Sequence, residues 1–238
     1  LSNFDREFID NYCGQDGYLI GVPCGINGRG ALYNTEFFKK YGLTASNDWD
    51  WEDLLAAGEK VNGQDANAHL LFLTNDVLVY VTRDLIKQKY GENMINDGYE
   101  LICTPEDLVE CMEMVQKLVE TGTMPPFEES VLYETVFADQ IPNWLEGSWG
   151  MSVLSASNLP SIVSASPFEI DTMRWVVEEG AKDSSITIAP TMMLAIPKAC
   201  AHPDEAAAFI NWFMNDPEAI QITGDTRGIP ANSKAREQ

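Results

Sequence analysis

The sequence predicts an α/β chain, and three observations carry that expectation. Short apolar runs of strand length, such as Tyr18 to Pro23, Leu70 to Leu73 and Gly150 to Leu154, are bounded by glycine, proline or polar turns. Amphipathic stretches of helix length lie between them. Several of those stretches begin on capping residues, and strands alternating with helices imply largely parallel pairing.

Taken in order, Asn3 to Tyr12 places Phe4, Phe8 and Ile9 at helical spacing. Gly14 to Gly17 is a turn, and the Tyr18 to Pro23 run is a strand. Asn27-Gly28-Arg29-Gly30 interrupts the pattern before a brief strand at Ala31 to Tyr33. Asn34 or Thr35 then caps a helix through Lys40, stopped by Gly42. Asp50 caps a helix over Trp51 to Val61. After the Leu70 strand, Val77 to Tyr90 reads as a helix with Leu78, Val81, Leu85 and Ile86 inward. Thr104-Pro105-Glu106-Asp107 is a strong start signal, with Thr as N-cap and Pro at the first helical position; this helix extends to about Glu120 and ends at Gly122. Val131 to Leu145 is irregular and partly helical. Strands follow at Gly150 to Leu154, Arg174 to Val177 and Leu194 to Ile196, and helices open at His202-Pro203 and Asp216-Pro217.

The totals narrow the function. Fifteen Lys and Arg face 37 Asp and Glu, for a net charge of -22. Such a surface repels phosphate backbones, so a nucleic-acid partner is excluded. Five cysteines, none in a C-x-x-C pair, and two histidines give neither a disulfide framework nor a zinc site; scattered buried thiols are expected. No apolar run approaches the ~18 residues of a membrane-spanning helix, and Leu1 to Asp5 has the character of no signal peptide.

Catalytic patterns also fail. There is no G-x-x-x-x-G-K-[ST] phosphate loop, and the glycines of Gly25 to Gly30 do not form G-x-G-x-x-G before a long helix. Gly147-Ser148-Trp149-Gly150 lacks the spacing of a nucleophile elbow. His69 precedes a buried strand and His202 opens a helix, so neither reads as a triad base. The Glu128-Glu129 and Glu178-Glu179 pairs are adjacent and do not converge as a glycosidase pair would. No catalytic residue, metal site or cofactor is expected, and an α/β hydrolase is the weaker alternative.

Three passages together carry a resemblance. They are Gly21-Val22-Pro23 with Leu32-Tyr33-Asn34-Thr35-Glu36-Phe37-Phe38 and Trp51-Glu52-Asp53-Leu54; Phe137 to Met151, ending Glu146-Gly147-Ser148-Trp149-Gly150-Met151; and Leu194-Ala195-Ile196-Pro197-Lys198 with His202-Pro203-Asp204-Glu205-Ala206-Ala207 and Gly228-Ile229-Pro230-Ala231. In order and spacing they resemble family 1 of the bacterial extracellular solute-binding proteins, the group of maltose-binding protein. That resemblance implies a periplasmic-binding-protein-like (type II) two-lobe architecture, one lobe nearly complete and the other partial, so that the chain is expected to be a fragment. It divides the chain into residues 1–26 in the N-terminal lobe, 27–190 in the second lobe and 191–238 returning to the first, with crossings at Asn27 to Gly30 and Ala189 to Met193. Trp51 and Trp212 fall at core positions of the family.

By the same resemblance the protein is a receptor of an ABC importer that closes on a sugar or small oligosaccharide, docks on a membrane permease, and works outside the cell as an anchored lipoprotein or in a periplasm. A sensory or interaction module on the same fold is the alternative. The ligand-binding candidates are Asn27, Asn75, Asp76, Ser155, Ser157, Asn158, Thr191 and Met192. Ser157 replaces an expected aromatic platform and Pro190-Thr191-Met192-Met193 replaces a glycine-rich crossing, which points away from a long stacked oligosaccharide.

Overall fold

The computed structural model describes residues 1–238 except 74–76, 134, 135, 227 and 238, and the side chains of Val77 and Leu78. The described chain divides into two compact units. One contains Leu1–Gly28, Ser155–Pro160 and Thr187–Gln238; the other contains Arg29–Leu154 and Ser161–Ile186. The short 155–160 piece thus groups with the smaller unit, whereas the resemblance drew the second lobe as an unbroken 27–190.

The larger unit is a sheet faced by helices. Its strands are the later residues of Gly25–Asn34, together with His69–Phe72, Trp149–Ser155 and Ile170–Met173. His69–Phe72 pairs in parallel with Trp149–Ser155, matching Leu71 to Met151. Ile170–Met173 pairs antiparallel, matching Ala31 to Met173. The core forms where the strands' apolar faces meet the Thr35–Lys40, Trp51–Gln64 and Pro105–Glu120 helices, through Phe37, Trp51, Leu54, Leu70, Leu71, Leu118 and Met151.

Local chemistry sets these helices. Asn34 Oδ1 accepts from Glu36 N and Phe37 N at 2.9 and 3.0 Å. Asp50 and Asp53 form a reciprocal capping box before Trp51–Gln64, and Thr104 and Asp107 form another before Pro105–Glu120. Asp107 does more than cap: Lys89 Nζ donates to it at 2.6 Å and Tyr90 OH at 2.8 Å. The Lys89 ammonium, the Thr104 backbone N–H and the Tyr90 hydroxyl hold its carboxyl well below the usual carboxylate range. Gly150 is required by a close approach, because a methyl there would overlap the Phe37 ring.

The smaller unit is thinner. Val22–Pro23 pairs with Met193–Leu194, and the first residues of Gly25–Asn34 pair with Ile188–Pro190 on one side and Ile229–Pro230 on the other. The two ends of the sequence are tied by amides: Asn232 Nδ2 donates to Met214 O at 2.6 Å, Asn3 Nδ2 to Asn215 Oδ1 at 3.0 Å, and Ser233 N to Asn3 O at 2.7 Å. The Pro203–Asn215 helix buries only Met214, leaving Phe209 54% and Trp212 44% exposed.

Four expectations are corrected. Asn27 to Gly30 does not break the strand; it is the middle of the ten-residue strand Gly25–Asn34. The expected Arg174 to Val177 strand is shifted to Ile170–Met173. Trp175 and Val176 are buried there without a ladder, since Arg174 N donates to Asn47 Oδ1 and Val177 N to Trp49 O. Pairing is not largely parallel among the described strand pairs: His69–Phe72 with Trp149–Ser155 is parallel, whereas Gly25–Asn34 with Ile170–Met173, Ile188–Pro190 and Ile229–Pro230, and Val22–Pro23 with Met193–Leu194, are antiparallel. Finally, Trp51 is core at 1% exposure but Trp212 is 44% exposed, its ring 6.0 Å from that of Phe209 on the same helix. No disulfide joins the five cysteines; Cys13, Cys103 and Cys111 are buried thiols.

Candidate functional site

Six of the eight candidate residues belong to the smaller unit: Asn27, Ser155, Ser157, Asn158, Thr191 and Met192. Asn75 and Asp76 lie outside the described residues. Backbone pairing sets the positions. Asn27 sits opposite Ala189 in the antiparallel pair with Ile188–Pro190. The Trp149–Ser155 strand ends in a tight turn, Ala156–Asn158, before the Leu159–Ala165 helix. Asn27 Oδ1 accepts from Ser157 N at 3.0 Å, so one side-chain bond joins two residues 130 apart in sequence. The amide's other end, its two N–H donors, stays on a half-buried side chain.

Thr191 follows the Ile188–Pro190 strand and donates from its N–H to Gly25 O at 2.9 Å. Its hydroxyl oxygen is buried and has no hydrogen-bond partner among the described residues. Buried hydroxyls are normally satisfied, so such a group marks a position where a partner is wanted. Gly228 holds the other side: it adopts φ +88°, and a Cβ there would come within 2.7 Å of Thr191 Cγ2 and 3.0 Å of Ile26 O. Met192 is half exposed, and its carbonyl accepts from Cys24 N at 2.9 Å. Asn27 with Ser157 is therefore one hydrogen-bonded group, and Thr191 packed on Gly228 is a second. Ser155, the last residue of that strand, and Asn158, the last of the turn, are both half-buried.

A further polar group in the larger unit escaped the sequence reading. Arg29 is ion-paired with Asp84, whose side chain is 4% exposed. Trp175 Nε1 donates to the same Asp84 oxygen at 3.0 Å, and the Arg29 guanidinium lies 4.7 Å from the Tyr80 ring centre. Burial pushes the Asp84 carboxyl up from the ordinary range, and the Arg29 charge opposes that push. Gln88, also buried, accepts from Trp51 Nε1 and donates to Val176 O and Ser185 Oγ. The signal was present: Val81, Asp84, Leu85 and Gln88 share one helical stripe, and a carboxylate and an amide on an apolar stripe imply a buried polar network.

A family model described as bacterial extracellular solute-binding protein matches residues 2–238. The chain belongs to that family. Among solved structures it is similar to a periplasmic solute binding protein of Pectobacterium atrosepticum, with 26% identity and a TM-score of 0.89, covering 100% of this chain and 59% of that one. It is similar in fold to a periplasmic oligogalacturonide binding protein of Yersinia enterocolitica in complex with saturated digalacturonic acid, at 24% identity, TM-score 0.87 and the same coverages. It is also similar in fold to the GacH receptor of Streptomyces glaucescens, studied unliganded and with acarbose, at 14% identity, TM-score 0.78, and coverages of 99% and 58%. The chain thus spans about three-fifths of the length of these relatives.

Proposed function

We infer that this chain is the larger part of a solute receptor serving an ABC importer, and that its solute is a sugar or small oligosaccharide. The observation that carries the reading is the family match over residues 2–238. The neighbours named for digalacturonic acid and acarbose support the carbohydrate class. The chemistry of the smaller unit agrees. Amide and hydroxyl groups at Asn27, Ser155, Ser157, Asn158 and Thr191 are the donors and acceptors that sugar hydroxyls need, and Met192 supplies an apolar surface. The Asn27 amide donors and the Thr191 hydroxyl are the polar ends we assign to the solute; Asn75 and Asp76 remain part of the proposed set.

The remaining steps follow from this reading. The receptor works outside the cytoplasmic membrane, free or lipid-anchored, closes its lobes on the solute and delivers it to a membrane permease. The chain performs no covalent step: its role is binding. A thermal-shift screen of the 238-residue chain against neutral sugars, uronic-acid oligosaccharides and amino acids tests the claim. A ligand that binds only the folded state raises the midpoint, by about 2.7 kcal/mol of stabilisation at a hundredfold excess over Kd. A shift confined to one sugar class is the expected result. A folded sample that responds to amino acids and to no sugar overturns the carbohydrate assignment.

A further inference from the structure

Thr191 and Gly228, both in the smaller unit, meet beside one strand residue. Ile26 pairs with Pro190 in one neighbouring strand and with Ile229 in the other. Thr191 follows Pro190 and Gly228 precedes Ile229, so the two residues come to Ile26 from both neighbours. Gly228 is buried, and its N–H donates to Asp225 O at 2.9 Å, closing a tight turn. Its φ of +88° by itself favours glycine. The surroundings make a second, separate demand. A Cβ at this position would stand 2.7 Å from Thr191 Cγ2 and 3.0 Å from Ile26 O. The Ile26 oxygen belongs to backbone paired on both sides, so the Thr191 side chain is the group that would have to give way.

Threonine can yield in only a few ways. Two heavy atoms on its Cβ hold χ1 to a few staggered positions. Turning χ1 lifts the methyl off Gly228 and carries the hydroxyl with it. The place of that hydroxyl matters, because Thr191 Oγ1 is buried and has no hydrogen-bond partner among the described residues. A buried hydroxyl left unpaired costs stability, so the fold alone gives no reason to keep it there. Thr191 N is tied to Gly25 O at 2.9 Å, which fixes the backbone and leaves the rotamer to decide where the hydroxyl points.

We propose that Gly228 is a positioning residue of the solute site. By lacking a Cβ it lets Thr191 hold its methyl against the turn and its hydroxyl in the orientation that receives the solute. The inference rests on the reading of Thr191 as a solute contact. Gly228 acts through Thr191 and makes no contact with the solute itself.

The first arm of the test needs no sugar. Threonine-methyl NMR of the 238-residue chain assigns Thr191 as the signal that Thr191→Val removes, and Gly228→Ala is expected to displace that signal. Thr191→Val itself is expected to raise the melting midpoint by about 2 °C or more, because the unpaired hydroxyl is gone. The second arm is titration calorimetry with the sugar that gives the largest shift in the screen above. Thr191→Val and Gly228→Ala are each expected to weaken its binding about tenfold. Thr191→Ser added to Gly228→Ala is expected to restore most of that loss, since serine keeps the hydroxyl and lacks the methyl that meets the new Cβ. A strained turn alone would not be relieved by a change at Thr191. An unmoved Thr191 methyl, or a loss that Thr191→Ser does not restore, overturns the proposal. Should Gly228→Ala fail to fold, the affinity of Thr191→Val decides, and an unchanged value overturns it. A screen in which no sugar binds the folded parent defeats the carbohydrate reading, while the methyl arm still decides whether Gly228 places Thr191.

Discussion

Replacing Arg29 with Met removes the charge that faces Asp84 while keeping a side chain of similar length. In the parent, Asp84 is 3% exposed and relies on the Arg29 guanidinium and the Trp175 indole N–H. Breaking a buried pair from one side costs about 3 to 5 kcal/mol, because the remaining charge is left uncompensated. Loss of the cation–π contact with Tyr80 adds about 0.5 to 1 kcal/mol. At roughly 2 to 4 °C per kcal/mol for a chain of this size, the midpoint falls by about 7 to 24 °C. The pH dependence gives the sharper check. Burial already raises the folded pKa of Asp84, and removing Arg29 raises it further. A carboxyl with a raised folded pKa contributes stability below its unfolded value of about 3.9 and loses it as pH rises through the folded value. The gap between parent and Arg29→Met should therefore widen from pH 5 to pH 8, and Asp84→Asn added to Arg29→Met should narrow it at pH 8. Thermal melts by circular dichroism at pH 5, 6.5 and 8 test this. A gap under about 1 kcal/mol, or one independent of pH, refutes the argument.

Three further outcomes can be measured in the same melts. Thr104→Ala removes the N-cap of Pro105–Glu120 and should cost about 1 kcal/mol, or roughly 2 to 4 °C. Asp107→Asn should lower the midpoint at pH 7, since a carboxyl held below its ordinary pKa contributes stability that is present above about pH 3.9 and lost as pH falls; the gap to the parent should close below that value. Gly150→Ala puts a methyl into the Phe37 ring and should cost about 1 to 3 kcal/mol, with the larger loss if that helix cannot shift.

Helix starts were readable from the sequence because their chemistry is local. Asn34, Asp50 and Thr104 each cap within three residues of themselves, and the structure realises all three. The Gly25–Asn34 strand was readable only at Ala31 to Tyr33. Gly25, Gly28 and Gly30 erase its alternating pattern, and its pairing partners Ile229, Ala189 and Met173 lie far along the chain. The site divides similarly. Asn27 and Ser157 were both candidates, but only folding discloses the hydrogen bond that joins them. Gly228 as the seat of Thr191 depends on a φ of +88° that no spacing rule signals. Trp212 misled for a different reason: the resemblance alone places it in the core, and it is 44% exposed.

The central claim is that the chain is a solute receptor whose smaller unit supplies polar contacts to a sugar. Titration calorimetry of the sugar that gives the largest thermal shift, against the parent and Asn27→Ala, tests it most directly. The account predicts saturable one-to-one binding to the parent, weakened about tenfold or more in Asn27→Ala. Equal affinity in both proteins would remove Asn27 from the site, and a folded parent that binds no sugar would contradict the claim itself.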